Sequence, residues 1–583
     1  MMHLRKGSYT VCLSLLLATT NTAAEVLSKS TFHSIIRYDS IHRPAHATDG
    51  MVVSQRHSAS QVGADILRQG GNAVDAAVAV GFALAVVLPR AGNIGGGGFM
   101  MIHLAETGKT ISIDYRETAP SAAHTDVYLS SNGDVDDSAH RQGHSSVAVP
   151  GTVAGLTLAL EKYGTMPLAT VMAPAIALAR DGFVMDYDTA SAIATRVEML
   201  QRQAYAKKTF FNPDGSVIPQ GQLFKQAELA DSLSLIAREG QSAFYQGEIA
   251  KKIVAEMQRN NGLITLEDLR AYRPVQREPV RGTYRGYDIV SMPPPSSGGA
   301  HVIQMLNVLE QFPISEMGSN SADYLHVLAA TMKRAYADRS KHLGDPDFYS
   351  VPISWLTSKQ YAKQLASQIH PQKVMSSADI APGEPAPYES VDTTHFSVMD
   401  KHGNAVSNTY TLNFSFGSGI VVPGAGFLLN NEMADFSAKA GVAYAFGLLG
   451  GTANSIEPGK RPLSAMTPTI VLKEGKPWLV TGSPGGSRII STVLQQIINV
   501  IDHKMNVASA THAARVHHQW FPDEIEFEAA VNPDAQQRLR ELGYSLKPSG
   551  TMGSLQSIMW HDGAYYGSSD PRRPGAGVAG VNQ

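Results

Sequence analysis

Cysteine is almost missing from this chain of 583 residues: Cys12 is the only one. Beyond it, a disulfide framework, a thiolate metal site and a cysteine nucleophile are all excluded. An excess of one charge is missing too. The 48 Lys+Arg and 51 Asp+Glu leave a formal net charge of −3. No basic surface therefore argues for nucleic acid, and no acidic tail argues for a solvating segment. Long apolar runs are scarce. The nearest, AVDAAVAVGFALAVVLP from Ala73 to Pro89, carries Asp75 and ends at a proline before Arg90. It reads as a helix buried in a large core rather than a membrane span. The glycine run 95–98 lacks both the Lys-Ser/Thr of a phosphate loop and G-x-G-x-x-G spacing, which leaves a tight backbone crossing. No H-E-x-x-H occurs. His517 and His518 with Asp523 and Glu524 are the nearest thing to a metal cluster, and ordinary polar contacts explain them better. No metal or other cofactor is expected.

What is present is an ordinary globular composition, 43% hydrophobic, on a chain long enough for a substantial core. The N-terminus reads as an export signal over residues 1–24. Arg5 and Lys6 precede the short apolar run Val11–Ala18, and the small residues Thr22, Ala23 and Ala24 follow. The run is too short to span a bilayer, so the mature chain is expected to have no membrane span and to be exported, periplasmic or secreted.

Helical patterns flank the Gly-Gly break in DILRQGGNAVDAAVAV, and MMIHLAETGKTISIDY predicts a hairpin around Glu106-Thr107-Gly108, with strands near 98–104 and 110–115. Helical periodicity dominates from 150 to 370, and MPPPSSGGAH at 292–301 predicts a rigid loop. Residues 371–392 hold four prolines and no regular period. They read as an exposed, cuttable segment or as a linker between domains. From 393 onward the texture is strand-like. TTHFSVMD and NAVSNTYTLN flank KHGN, and PTIVLKEGKPWLVTGSP forms a second hairpin around Glu474-Gly475-Lys476. Helix returns in SRIISTVLQQIINVIDH. The pattern predicts layered α+β packing with helices covering sheets.

The junction at Thr393-Thr394 sets the chemical question. A threonine hydroxyl becomes a useful nucleophile when an adjacent base takes its proton, and a free N-terminal amine can be that base. Its reference pKa of about 7.7–8.0 leaves a good fraction neutral near neutrality. A cut before Thr393 would put both groups on one residue, with the loop cut away and the strand holding it. Folding 394–411 about His402 makes partner numbers sum to about 804, so Thr393 faces Thr411 and a second hydroxyl. Threonine pairs on hairpins are also common surface β residues that stabilise sheets modestly. His395 would point opposite to Thr394 on the strand and is not required by this chemistry.

From about residue 50 to about 572 the chain resembles the γ-glutamyltransferases. The motifs that carry the likeness are GNIGGGGFM, IDYRETAP, DTTHFSVMD, TYTLNFSFGSGI, LLNNEMADFS, GKRPLSAMTPTIV and TGSPGGSRII. The resemblance implies the four-layer αββα sandwich of the N-terminal nucleophile hydrolases, formed by two subunits cut from one precursor. The Asp392–Thr393 bond would be severed by Thr393 Oγ itself, giving a large subunit of 25–392 and a small one of 393–583. The mature enzyme would cleave the γ-glutamyl amide of glutathione and related small molecules through an ester on Thr393. It would pass the glutamyl group to water, an amino acid or a peptide. Thr411 would support the nucleophile and border the substrate. Gly485 and Gly486 would form the oxyanion hole, Gly486 also touching substrate. Arg116 would hold the α-carboxylate, and Asn413, Glu432 and Asp435 the α-ammonium. Family members commonly have two serines after RPL, both on that carboxylate. Here Ser464 is kept and Ala465 stands at the second position, so one hydrogen bond is lost and affinity is expected to fall several-fold. Residues 437–454 match a lid loop, with Phe446 as its aromatic gate. Arg461 and Arg488 fit loop orientation as well as substrate contact. Two alternatives stay open: a glutaryl or cephalosporin-type acylase of the same fold, whose substrates lack the α-ammonium, and an inactive exported homologue that serves as a binding module.

Overall fold

Period-two alternation in the strands sorts the side chains into two kinds of layer. In TTHFSVMD, Phe396 and Val398 join the apolar cluster around the helix Ala73–Val87, while His395 and Ser397 bond polar partners on the other face. A computed structural model describes residues 40–381, 393–439, 442 and 451–582, and the compact unit within it is His42–Gln583. The expected signal 1–24, Asp392 and Phe446 lie outside the described residues.

In chain order the strands begin with β1 (Ala45–Ala47), β2 (Gly50–Ser54), β3 (Gly97–Leu104), β4 (Lys109–Tyr115), β5 (Phe183–Val184) and β6 (Leu223–Phe224). They continue with β7 (Val275–Arg277), β8 (Val280–Tyr284), β9 (Tyr287–Ser291), β10 (Thr394–Asp400), β11 (Ala405–Thr411), β12 (Thr469–Lys473) and β13 (Lys476–Thr481). The last are β14 (Val516–His517), β15 (Ile525–Phe527), β16 (Leu546–Pro548), β17 (Gln556–His561), β18 (Ala564–Ser569) and β19 (Gly577–Val581). Two antiparallel sheets of seven strands carry the fold, ordered β19-β2-β10-β11-β3-β4-β7 and β1-β18-β17-β13-β12-β9-β8. They face each other through β10, β17, β2 and β18. Helices His57–Arg68 and Ala73–Val87 cover the first sheet, and Gly298–Leu309 and Val507–His512 cover the second. The result is the expected αββα sandwich.

The Gly-Gly break separates the first two helices as predicted. Asn72 caps the second, accepting from Val74 N and Asp75 N, while Asp75 bonds back to the Asn72 N–H. Every residue of Ala73–Val87 is buried, so its all-round apolar character reflects a central position. Among the described residues no helix is long and apolar enough to cross a membrane.

The hairpin register matches the sequence reading. Thr394 pairs with Tyr410 and Met399 with Ala405, each pair summing to 804. The second hairpin turns at Glu474-Gly475, where both residues have positive φ, with a bulge at Val471/Leu472. Two local expectations need correction. The predicted loop 292–301 ends early, because the helix Gly298–Leu309 starts at Gly298. Side-chain bulk is forbidden there: a Cβ on Gly298 would lie 2.1 Å from Thr467 Oγ1, and one on Gly299 2.3 Å from Met292 O. In the helix-dominated stretch, residues 275–291 form β7, β8 and β9, edge and near-edge strands of both sheets. Their half-exposed pattern hides the alternation that marks buried strands.

Candidate active site

Thr393 stands at the head of β10, 5% exposed, directly before the pair Thr394–Tyr410. Its Oγ1 lies 3.4 Å from Thr411 Oγ1 on β11. Thr411 is clamped. Its carbonyl accepts from Asn93 Nδ2 at 2.8 Å, and its hydroxyl accepts from Asn413 N at 2.8 Å. Asn93 Oδ1 also receives Gly96 N and Thr152 Oγ1. The glycine run is the close crossing its composition suggested. A Cβ on Gly96 would sit 2.0 Å from Thr411 O, and one on Gly98 2.4 Å from Tyr410 Cβ. Any side chain there would push β3 away from the strand that bears Thr411.

His395 is a structural residue. It is buried, bonded to Thr409 Oγ1 at 2.8 Å and Ser397 Oγ at 3.1 Å, and burial lowers its pKa to about 3. The imidazole is neutral and ties β10 to β11.

Gly485 and Gly486 precede the helix Arg488–Ile501, with φ of +140° and +54°. The first value is one that only glycine adopts without strain. The helix N-terminus beside them favours negative charge. Gly486 lines a cavity that also holds Thr393, Thr411, Asn413, Arg116, Glu432, Asp435, Ser464 and Ala465. The cavity measures about 20 Å³, room for one water. Gly485 is adjacent but does not line it.

The charged wall is built from three segments. Arg116, 1% exposed, follows β4; its Nε donates to Pro462 O at 3.2 Å. Its Nη1 donates to Glu432 Oε1 and its Nη2 to Asp435 Oδ2. Both acids come from the single turn Glu432–Asp435, which sets them three residues apart on one side. The cation and the acids assigned by resemblance to opposite ends of a zwitterion are thus paired with one another. Three acceptors still lack a hydrogen bond among the described residues: Glu432 Oε2, Asp435 Oδ1 and Asn413 Oδ1. Burial opposes the charge on Arg116, but Glu432 and Asp435 outweigh it and hold the guanidinium protonated. Burial and crowding by neighbouring carboxylates raise Glu432, and burial raises Asp435 despite Arg116.

Ser464 is fixed by backbone bonds. Its N–H donates to Pro295 O at 2.9 Å, and its carbonyl accepts from Ser297 N at 2.8 Å and Ser297 Oγ at 2.7 Å. Ala465 lines the cavity with a methyl group.

Sequence reasoning missed two members of this site. Glu117 is fully buried, with neither carboxyl oxygen hydrogen-bonded among the described residues and Oε2 3.7 Å from Arg116 Nη1. Burial raises its pKa to about 7 in spite of that guanidinium. Arg339 lines the cavity from the helix Ala322–His342. A signal for Arg339 existed: it continues the stripe Leu325, Leu328, Met332, Ala335, where a cation is out of place. Of the other charged residues singled out, Arg461 pairs with Asp114 at 3.4 Å and Arg488 with Glu526 at 2.6 Å, so both orient loops. His517 bonds Ser491 Oγ and Gln519 Oε1, while Asp523 pairs with Lys333 and Glu524 with Lys547.

Comparison with known proteins gives a consistent result. The family model for Gamma-glutamyltranspeptidase matches residues 59–580. The glutathione hydrolase proenzyme of Escherichia coli (strain K12) is 53% identical over 535 residues, covering 92% of each chain. The crystal structure of cephalosporin acylase from Bacillus halodurans superposes with a TM-score of 0.82 at 27% identity, over 94% of this chain and 99% of that one. That of Helicobacter pylori gamma-glutamyltranspeptidase gives 0.56 at 43% identity, over 60% of this chain and 97% of the other.

Proposed function

The chain belongs to the gamma-glutamyltranspeptidase family, and from that premise we infer that it is a self-processing γ-glutamyltransferase and glutathione hydrolase. The observation that carries the reading is one buried cavity in which a threonine hydroxyl, two arginines and three acceptors without hydrogen bonds converge. Open acceptors on Glu432, Asp435 and Asn413 suit a ligand that brings an ammonium, because a buried acceptor without a donor is costly.

The proposed course starts in the precursor. Thr393 Oγ attacks the Asp392 carbonyl, the Asp392–Thr393 C–N bond breaks to give an ester and a free Thr393 amine, and water opens the ester to free the Thr393 hydroxyl and a new Asp392 carboxylate. In the mature enzyme that amine takes the Oγ proton as Oγ attacks the γ-carbonyl of the donor. The N–H groups of Gly485 and Gly486, at the start of a helix, meet the negative oxygen of the tetrahedral intermediate. Its collapse expels the leaving amine, which receives the proton held by the Thr393 amine. Water or an acceptor amine then takes the glutamyl group in a second half-reaction, again losing its proton to the Thr393 amine.

Substrate binding requires rearrangement. About 20 Å³ cannot hold a glutamyl group, and the terminal nitrogens of Arg116 are engaged by Glu432 and Asp435. The donor ammonium competes for those carboxylates and loosens their hold on the guanidinium, which turns part of its charge to the α-carboxylate. The cavity expands as these contacts exchange. Export through residues 1–24 and processing into 25–392 and 393–583 belong to the same proposal.

N-terminal sequencing of the purified, active protein tests the reading. One chain is expected to begin Thr-Thr-His, and the other near residue 25. Thr393→Ala should stay whole and inactive; cleavage at that bond in the variant would end the nucleophile assignment.

A further inference from the structure

Arg339 is a second guanidinium in the cavity wall, 1% exposed. It is placed with care. Its Nε donates to Ser297 Oγ at 2.8 Å, and Ser297 binds the Ser464 carbonyl through both its N–H and its hydroxyl. Ser297 therefore connects Arg339 to the segment Ser464–Ala465, the wall expected to receive the α-carboxylate. Arg116 reaches the same segment through its Nε bond to Pro462 O, but its terminal nitrogens are held by Glu432 and Asp435. Arg339 also acts on the same site electrically: burial raises Asp435, and Arg116 and, more weakly, Arg339 oppose that rise.

The make-up of the lining points the same way. It holds two guanidiniums, Arg116 and Arg339, and two carboxyl groups, Glu432 and Asp435. Groups of both kinds suit a ligand that is itself a zwitterion. The acids and Asn413 face the ammonium. Arg116 is shared between the two acids, so the carboxylate needs a further cation to match it fully. On the Ser464–Ala465 side, where the hydroxyl of a second serine is absent, Arg339 is that cation.

We propose that Arg339 is a substrate-binding residue whose guanidinium, positioned by Ser297, pairs with the α-carboxylate of the γ-glutamyl donor and replaces the contact that Ala465 cannot make. The assignment rests on the γ-glutamyl reading given above.

The test compares two donors on full-length protein that has processed itself. One is γ-glutamyl-p-nitroanilide. The other is 4-aminobutanoyl-p-nitroanilide, which keeps the ammonium and lacks the carboxylate. Arg339→Gln should raise KM for the first by roughly 10- to 150-fold, the range of a charge-assisted hydrogen bond, with kcat changed less than about threefold. The kcat/KM for the second should stay within about threefold. Arg339→Lys should give an intermediate KM. Equal losses on both donors would overturn the proposal, because a purely structural role would affect both alike. Ala465→Ser decides the matter if neither Arg339 variant folds. With Arg339 already holding the carboxylate, the added hydroxyl should lower KM by less than about threefold; a fall of tenfold or more would show the carboxylate poorly held and overturn the assignment. Native protein that cleaves no γ-glutamyl anilide at all would instead sink the γ-glutamyl reading itself.

Discussion

Replacing Asp435 by asparagine removes one negative charge from the cavity and changes little else in shape. Asp435 is 5% exposed. Its Oδ2 is held by Arg116, and its Oδ1 has no hydrogen-bond partner among the described residues. Asparagine keeps an acceptor for Arg116, and Glu432 keeps that guanidinium paired, so the fold and self-cleavage should survive. The donor ammonium, however, would exchange a charge-assisted hydrogen bond for a neutral one. That difference is on the order of 1–1.5 kcal/mol, or roughly 5- to 13-fold in kcat/KM for γ-glutamyl-p-nitroanilide. Glutaryl-p-nitroanilide has no ammonium and leaves the native Asp435 buried against a methylene. For it the substitution should be neutral or favourable. The readout is the ratio of kcat/KM for the two donors, measured on protein shown to be cleaved on a denaturing gel. The ratio should fall at least about fivefold. An equal loss on both donors would refute the assignment of Asp435 to the ammonium, and native protein that prefers the glutaryl donor would make it an acylase.

The other perturbations target the buried acid and the oxyanion site. Burial raises Glu117 from 4.5 to about 7, so the native state holds a proton that the unfolded chain releases. The stability this contributes is fully present below pH 4.5 and is lost as pH rises through 7, roughly 3 kcal/mol over the window. On a Thr393→Ala background, which stays one chain, the melting temperature should decline from pH 5 to 8, and adding Glu117→Gln should flatten that decline; an unchanged slope would show that Glu117 is not the titrating group. Gly485→Ala forces a side chain onto φ +140°, with Gly553 Cα 3.3 Å from the new Cβ. Strain of about 1–3 kcal/mol should shift the neighbouring N–H groups and cut kcat by roughly tenfold or more while KM changes little; a normal kcat would take Gly485 out of the oxyanion site.

What the sequence revealed and what it hid have separate physical causes. Local rules work where one face of an element is buried and the turn is short. That is why the register 394–411 could be counted to the residue, and why the Gly-Gly break and both hairpins were legible. The roles expected for Arg116, Asn413, Glu432 and Asp435 came through family motifs, because the meeting of Arg116 with the acids depends on chain segments some 300 residues apart. Arg339 and Glu117 stayed hidden for the opposite reason. Glu117 lies just past a strand end, where a charged residue looks like surface, and Arg339 continues an apolar helix stripe, a signal that names burial but no partner. Only the packing shows Glu117 buried, which turns a routine charge into a costly and therefore informative one. The strands at 275–291 were lost because edge strands keep one flank in water and their alternation blurs.

If the chain is cut before Thr393 as proposed, the strand order has a consequence. In the first sheet β2, from the segment before Thr393, lies between β19 and β10 from the segment after it. Next to them β11 pairs with β3 over seven register positions. In the second sheet β12 pairs with β9 and β18 with β1, again across the cut. Neither segment therefore owns a complete sheet. Separating them would expose five ladders of backbone hydrogen bonds together with the apolar faces on both sides, and unpaired buried backbone is among the costliest things a fold can create. Salt weakens exposed ion pairs but not such ladders. After processing, the two chains should elute as one species from a native sizing column in 1 M NaCl and come apart only in denaturant. If they separated in salt alone, strands that alternate between the segments could not be what joins them.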